Sequence, residues 1–111
     1  MKLLIAGSRT IENFSFDGLI PTSCDTILSG GAAGIDSLAE QFADTHKLSK
    51  IILRPQYSLY GKAAPLRRNE ELVRIADEIL VVWDGKSRGT LHTIKYAKKK
   101  GKSLKIINYA E

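Results

Sequence analysis

Five short apolar runs punctuate the chain, and none of them alternates cleanly between apolar and polar positions. They cover residues 2–6, 26–28, 50–53, 78–83 and 104–107, and several end at glycine, proline or aspartate. Strands that are apolar on both faces are typical of a parallel sheet that helices cover on both sides. The pattern therefore predicts five parallel strands.

Apolar residues at helical spacing fill the gaps between these runs. They predict helices over residues 35–46, from Pro65 to about residue 76, and over 91–97 with Gly101 as the C-cap; residues 13–19 are compatible with a short further helix. Residues 54–64 are predicted to form one long loop, and a loop of this length in a small domain is often functional. Strands and helices in alternation predict a single α/β domain over residues 1–111, a Rossmann-like three-layer sandwich with strand order 3-2-1-4-5.

Composition narrows the class of protein. The chain has 111 residues, one cysteine and no apolar run long enough to span a membrane, so we expect a cytoplasmic globular domain without disulfides or structural zinc. The net charge of +5 favours an anionic partner such as a nucleotide or nucleic acid. Six lysines crowd residues 95–105, where they also suit a solvated helix face near its C-terminus.

The unusual residues collect where strands end. In open parallel sheets, ligands bind beyond the carboxyl ends of the strands, at the point where the strand order reverses. Three turns fall there, and their members are Gly7, Ser8 and Arg9; Ser29, Gly30, Gly31, Ala32, Gly34 and Asp36; and Asp84, Gly85, Ser87, Arg88, Gly89 and Thr90. Three such turns on one sheet edge predict a single crevice.

Two of these turns open a helix, and the start of a helix attracts anions. Glycines let the backbone approach a ligand, while free N–H groups and the helix dipole favour a phosphate. Ser87 and Thr90 add hydroxyl groups, and Arg88 adds a guanidinium that suits phosphate. The alternative interpretation is a pair of tight strand-to-helix turns that bind no ligand.

Charged side chains near these turns also allow more than one interpretation. Arg9 either binds a phosphate or pairs with Asp36 or Asp84. The two aspartates either stabilise helix starts, hold a ribose hydroxyl or act as catalytic acids and bases. Arg68 and Asn69 lie near the start of a helix, where they either bind an anion or pair with neighbouring glutamates. Tyr60 and Lys62 are the remaining candidates for contact with the ligand.

Four ordered motifs together resemble the SLOG superfamily. They are Gly7-Ser8-Arg9, the stretch 29–36, the stretch 60–64 with Arg68-Asn69, and Ala76-Asp77 followed by the stretch 83–90. The similarity is greatest to the small stand-alone branch of the superfamily. It implies a Rossmann-like fold that binds nucleotides or nucleotide-derived ligands, either as a sensor or as an enzyme, with no further cofactor.

Two related families imply different activities. DNA-processing proteins with a similar Gly-Ser-Arg and Arg-Asn bind single-stranded DNA. Cytokinin-activating phosphoribohydrolases carry Pro-Gly-Gly before a Gly-Thr pair and a glutamate after it, and this chain has neither around Gly89-Thr90. We therefore expect a nucleotide-binding or nucleotide-sensing domain, with a nucleotide hydrolase using Asp36 or Asp84 and a single-stranded nucleic-acid binder as alternatives. Homo-oligomers are compatible with the fold.

Overall fold

A five-stranded, all-parallel sheet forms the centre of the protein. The computed structural model describes residues 1–109, and its strands are β1 (Lys2–Gly7), β2 (Thr26–Ser29), β3 (Ser49–Ile52), β4 (Glu78–Trp83) and β5 (Ser103–Asn108). Their order across the sheet is β3-β2-β1-β4-β5. The predicted fold class and strand order are confirmed.

Helices cover both faces of the sheet, which explains why the strands are apolar on both sides. The helices are α1 (Ile35–Thr45), α2 (Tyr57–Tyr60), α3 (Ala64–Ile75) and α4 (Arg88–Lys99), with a 3-10 turn at Gly61–Ala63. Leu3 and Ile5 pack in one core with α1, whereas Leu4 packs in a second core with α3 and α4. Neighbouring residues of one strand thus enter opposite cores.

The predicted place of Pro65 at the start of α3 is confirmed, whereas α4 runs from Arg88 to Lys99 and its C-cap is Lys100, one residue before the predicted Gly101. Pro65 lies in the first turn of α3, where its missing N–H leaves no helical hydrogen bond unmade. After α4, the N–H of Gly101 donates to the carbonyl of Lys98 and the N–H of Lys102 donates to that of Ala97. This pair of bonds is a Schellman motif, which satisfies carbonyls that a helix end otherwise leaves free.

Two predictions about irregular segments are wrong. Residues 13–19 form no helix; Phe14 and Phe16 both turn inward, and their ring centroids lie 5.1 Å apart in an edge-to-face pair. Phe16 also packs against Phe42 of α1, with ring centroids 5.7 Å apart. Residues 54–64 are not one long loop, because the N–H groups of Leu59 and Tyr60 bond to the carbonyl of Gln56 and begin α2.

The sheet order places the carboxyl ends of β1 and β4 side by side. Gly7 is in register with Val82, and the chain continues from β1 toward β2 on one side and from β4 toward β5 on the other. This is the reversal point at which open parallel sheets bind ligands. Within residues 1–109, no helix has both the length and the apolar character needed to cross a membrane.

Candidate functional site

A cleft opens at the carboxyl edge of the sheet, between α3 and the start of α4. Its cavity has a volume of about 80 Å³ and opens to solvent. Residues from the ends of β1 and β2 and from both helices line it: Leu4, Ala6, Gly7, Arg9, Gly30, Ala32, Asp36, Pro65, Arg68, Asn69, Leu72, Ser87, Gly89, Thr90 and Thr93.

Arg68 is the buried cation of this cleft. It projects from α3, is only 9% exposed, and is held by protein oxygens on two sides. Its Nε donates to Oδ1 of Asn69 at 2.7 Å, and its Nη1 donates to the carbonyl of Gly30 and, at 3.4 Å, to that of Leu53. These bonds fix the guanidinium while Nη2 has no protein acceptor within residues 1–109.

Asp36 lies across Gly30 from Arg68. Its carboxyl is 8% exposed and accepts a hydrogen bond from the N–H of Ala32 at 3.2 Å. Burial raises the pKa of Asp36 above its ordinary value, although the Ala32 bond and the charge of Arg68 act in the opposite direction. A buried carboxyl with a raised pKa in a cleft is a feature of many functional sites.

The absence of a side chain at Gly30 lets the two charged groups approach the same backbone. A Cβ built there would lie 2.8 Å from Nη1 of Arg68 and 2.9 Å from Oδ2 of Asp36. The side chains of Arg68 and Asp36 would both have to move to make room for a methyl group at residue 30. A side chain at residue 30 would therefore displace the two charged groups that line the cleft.

Two positively charged side chains, Arg9 and Arg68, line the cleft. Arg9, which follows β1, is exposed and makes no ion pair within the described part of the chain. Burial lowers the pKa of Arg68; Asp36 opposes this shift, and the positive charge of Arg9 adds to it. Two guanidinium groups that face one cavity against a single carboxyl favour an anionic ligand.

The turn that opens α1 uses its amide groups internally. The N–H of Gly31 donates to Oγ of Ser29 at 3.2 Å, and the N–H of Ile35 donates to the carbonyl of Ser8 at 3.3 Å. The N–H of Ala32 is bonded to Asp36, as described above. The glycine-rich pattern predicts that the amides of this turn are free to bind a phosphate. Three of them instead donate to oxygens of the protein.

Gly34 fastens this turn to the segment after β1. It has a φ of 72°, and a Cβ there would lie 2.6 Å from the carbonyl carbon of Arg9 and closer still to the carbonyl oxygen of Ser8. No side chain fits between two backbones at this distance. Gly34 and Ser8 thus join the start of α1 to the end of β1 and lie outside the cleft lining.

The start of α4 faces the cleft and is capped by its own hydroxyl groups. Ser87 is the N-cap, and its Oγ accepts hydrogen bonds from N–H of Thr90 at 3.4 Å and from Oγ1 of Thr90 at 3.0 Å. Nδ2 of Asn69 donates to the carbonyl of Gly89 at 3.4 Å. Because Ser87, Gly89 and Thr90 line the cleft, the positive end of the helix dipole lies at the same cavity as Arg68.

Asp84 has a structural role in the turn before α4. Its Oδ1 accepts from the N–H groups of Lys86 and Ser87 at 2.8 and 2.9 Å, and its Oδ2 accepts from the hydroxyl of Thr10 at 3.2 Å. These bonds, those from the two backbone amides above all, lower the pKa of Asp84 to about 2. Asp84 is not part of the cleft lining.

The nineteen predicted site residues fall into two groups. The cleft brings together ten of them: Gly7, Arg9, Gly30, Ala32, Asp36, Arg68, Asn69, Ser87, Gly89 and Thr90. The other nine residues lie outside its lining. Two of them are buried, three are glycines in turns, one is the turn aspartate and three are exposed: Ser8 and Ser29; Gly31, Gly34 and Gly85; Asp84; and Tyr60, Lys62 and Arg88.

Sequence reasoning missed the apolar floor of the cleft. Leu4, Ala6, Leu72 and Pro65 line it, together with Thr93 one turn after Thr90 on α4. The spacing of the two threonines on one helix face was a usable signal, whereas the apolar residues are indistinguishable in sequence from other core positions. Within residues 1–109, no group of three or more His, Cys, Asp or Glu side chains is arranged to hold a metal ion.

Comparison with known proteins adds a relationship to this geometry. No family model and no solved structure matches the chain. The Gene 61 protein of Mycobacterium phage D29 is similar, with 29% identity over 91 residues that cover 77% of this chain and 71% of that protein. The name of that protein states no ligand and no reaction.

Proposed function

We propose that the cleft binds a nucleotide or a nucleotide-derived ligand through its phosphate, in the manner of a SLOG-type binding or sensing domain. The observation that carries this proposal is the buried Arg68, fixed by Asn69 and Gly30 in a cavity that the start of α4 also faces. Holding a guanidinium in place before a ligand arrives lowers the entropy lost on binding. The order of motifs along the chain and the strand order 3-2-1-4-5 support membership of that superfamily.

The phosphate in this proposal contacts a different set of groups from the one that the glycine pattern predicts. Arg9, Arg68 and the first turn of α4 face the cavity, while the amides before α1 already bond to Ser29, Ser8 and Asp36. Asp36 is placed to accept a hydrogen bond from a ribose hydroxyl beside the phosphate. The ligand therefore lies over Gly30, with its anionic end toward α3 and α4.

A second candidate function is hydrolysis of an N-glycosidic bond in the same ligand. The position of Asp36 favours it, because this buried carboxyl lines the cavity and burial raises its pKa above the ordinary value. Asp84 does not serve this function, since its carboxylate is ionised and bonded within a turn. Release of free base from nucleoside monophosphates by the wild type, but not by Asp36→Asn, would support it.

The binding proposal is tested with two exposed arginines from the same sheet edge. Isothermal titration with nucleoside mono- and diphosphates and ADP-ribose compares Arg9→Ala with Arg88→Ala, because only Arg9 lines the cleft. We expect Arg9→Ala to weaken binding about tenfold, since charge-assisted hydrogen bonds contribute ~1.5–3 kcal/mol, and Arg88→Ala to change it little. Equal losses in both variants, or no binding by the wild type, would overturn the proposal.

A further inference from the structure

A second concave surface lies between the outer faces of α3 and α4. We call it the α3–α4 groove, and its lining residues are Tyr60, Arg67, Glu70, Arg74, His92, Lys95, Tyr96, Lys99 and Lys100. None of these residues lines the cleft at the sheet edge. A ligand of the groove is therefore independent of the ligand proposed above.

The groove is strongly cationic. Five Lys and Arg side chains line it with one carboxylate, Glu70, and one of these cations, Arg74, also pairs with Glu71 at 3.4 Å. Glu70 is already engaged, because Nη1 of Arg67 lies 3.1 Å from its Oε1 and Nε2 of His92 lies 2.9 Å from its Oε2. Partial burial acts to raise the pKa of Glu70, but these two hydrogen bonds outweigh it and lower the pKa. The carboxylate thus repels an incoming anion less than a free one would.

Aromatic side chains alternate with the cations. The ring of Tyr96 has the guanidinium of Arg74 at 5.9 Å and the ammonium of Lys100 at 5.4 Å from its centroid. The ring of His92 lies nearly parallel to it, with centroids 6.4 Å apart. Tyr60, which also lines the groove, is 47% exposed. Cation–π contacts hold Arg74 and Lys100 over the ring of Tyr96, and the exposed ring of Tyr60 lies in the same groove.

We propose that the α3–α4 groove binds single-stranded nucleic acid. The exposed Lys95 and Lys99 lie one helical turn apart, about 6 Å, and project from α4 toward the same side as Arg74 on α3. Phosphates of a flexible strand bind such a row of cations, and an unpaired base stacks on the exposed ring of Tyr60. A duplex presents phosphates but no free base faces, so the aromatic surface favours a single strand.

The opposite face of the sheet supplies a matched control. Lys50 and Lys105 point away from α3 and α4, because the adjacent strand residues Ile51, Leu104 and Ile106 pack in the core with those helices. Lys50 bonds instead to Asp44 on α1 at 2.8 Å. Removing this pair of lysines changes the net charge as much as removing Lys95 and Lys99.

The test measures fluorescence anisotropy of a labelled oligothymidine of about 20 nucleotides, longer than the usual site of one small binding domain. It compares the full chain, Lys95→Ala/Lys99→Ala and Lys50→Ala/Lys105→Ala between ~50 and ~200 mM salt. We expect the groove variant to bind at least ~10-fold more weakly and its salt slope to be shallower by about 1.4, since each phosphate contact on a single strand contributes ~0.7. The control variant should retain the wild-type slope.

Three outcomes would overturn the proposal. They are an equal loss of affinity in the two double variants, competition by a duplex of the same length as strong as that by the single strand, and absence of saturable binding by the wild type at ~50 mM salt. Titration of the groove variant with the nucleotides of the cleft experiment separates the two proposals. Retained nucleotide binding with lost oligonucleotide binding supports two separate sites, whereas parallel loss of both contradicts an independent groove.

Discussion

Asn69 accepts a hydrogen bond from Nε of Arg68 at 2.7 Å and donates through Nδ2 to the carbonyl of Gly89 at 3.4 Å. One amide side chain therefore joins the buried guanidinium of the cleft to the first turn of α4. The two groups that we propose to contact the phosphate come from different helices. Asn69 fixes their relative positions before any ligand binds.

The first prediction concerns this link. Asn69→Ala should weaken nucleotide binding about tenfold, which corresponds to ~1.4 kcal/mol, because Arg68 then loses the acceptor that orients it. Glu71→Ala, on the exposed side of the same helix, serves as the control and should leave affinity unchanged. Titration calorimetry measures both variants. Unchanged affinity in Asn69→Ala, with the fold intact by circular dichroism, would contradict the positioning role.

The second prediction compares two glycines that both have positive φ. Gly34 has a φ of 72° and packs against the backbone of Arg9, whereas Gly85 has a φ of 82° and open space within 4 Å of the position that a Cβ would take. Gly85→Ala should cost about 1–2 kcal/mol of unfolding free energy from backbone strain alone. Gly34→Ala should cost a further ~1–3 kcal/mol from the steric clash. Urea denaturation measures the difference, and equal costs would show that the close contact is absent.

The third prediction concerns the pH dependence of stability at Asp36. Because burial raises the folded-state pKa of Asp36, ionisation of this carboxyl destabilises the folded protein. The penalty is absent below the ordinary pKa of 3.8 and grows as pH rises through the raised value. Asp36→Asn removes the charge and keeps an oxygen for the N–H of Ala32. Thermal unfolding across pH should show the variant gaining stability over the wild type as pH rises; a constant difference would refute the shift.

The fourth prediction concerns Asp84, whose ionisation stabilises the folded protein, whereas that of Asp36 destabilises it. The folded-state pKa of Asp84 is lowered to about 2 from its ordinary value of 3.8, so the ionised carboxylate stabilises the turn. That contribution is present above pH 3.8 and is lost as pH falls toward 2. Asp84→Asn should therefore be less stable than the wild type at neutral pH and approach it in acid. Thermal unfolding of both proteins over this range measures the convergence, and its absence would count against an ionised hydrogen-bonded turn.

Much of the architecture follows from local features of the sequence. The strand at Glu78–Trp83 is recognisable because its residues are apolar in succession, and such a run has to be covered on both faces. Pro65 and Gly101 mark helix ends through backbone constraints that operate over a few residues. Residues 13–19 misled the same reasoning, since the apolar Phe14 and Phe16 are equally able to pack side by side in an irregular segment.

The candidate site depended on contacts between distant parts of the chain. Sequence alone placed glycines and arginines at the sheet edge, because parallel strands bring their carboxyl ends together. Two hydrogen bonds became known only from the tertiary structure. The N–H of Ile35 donates to the carbonyl of Ser8, and Arg68 donates to the carbonyl of Gly30, 38 residues earlier. Local patterns determine which backbone can bend or begin a helix, whereas the partner of each polar group is decided by packing between elements, and no spacing along the chain encodes that partner.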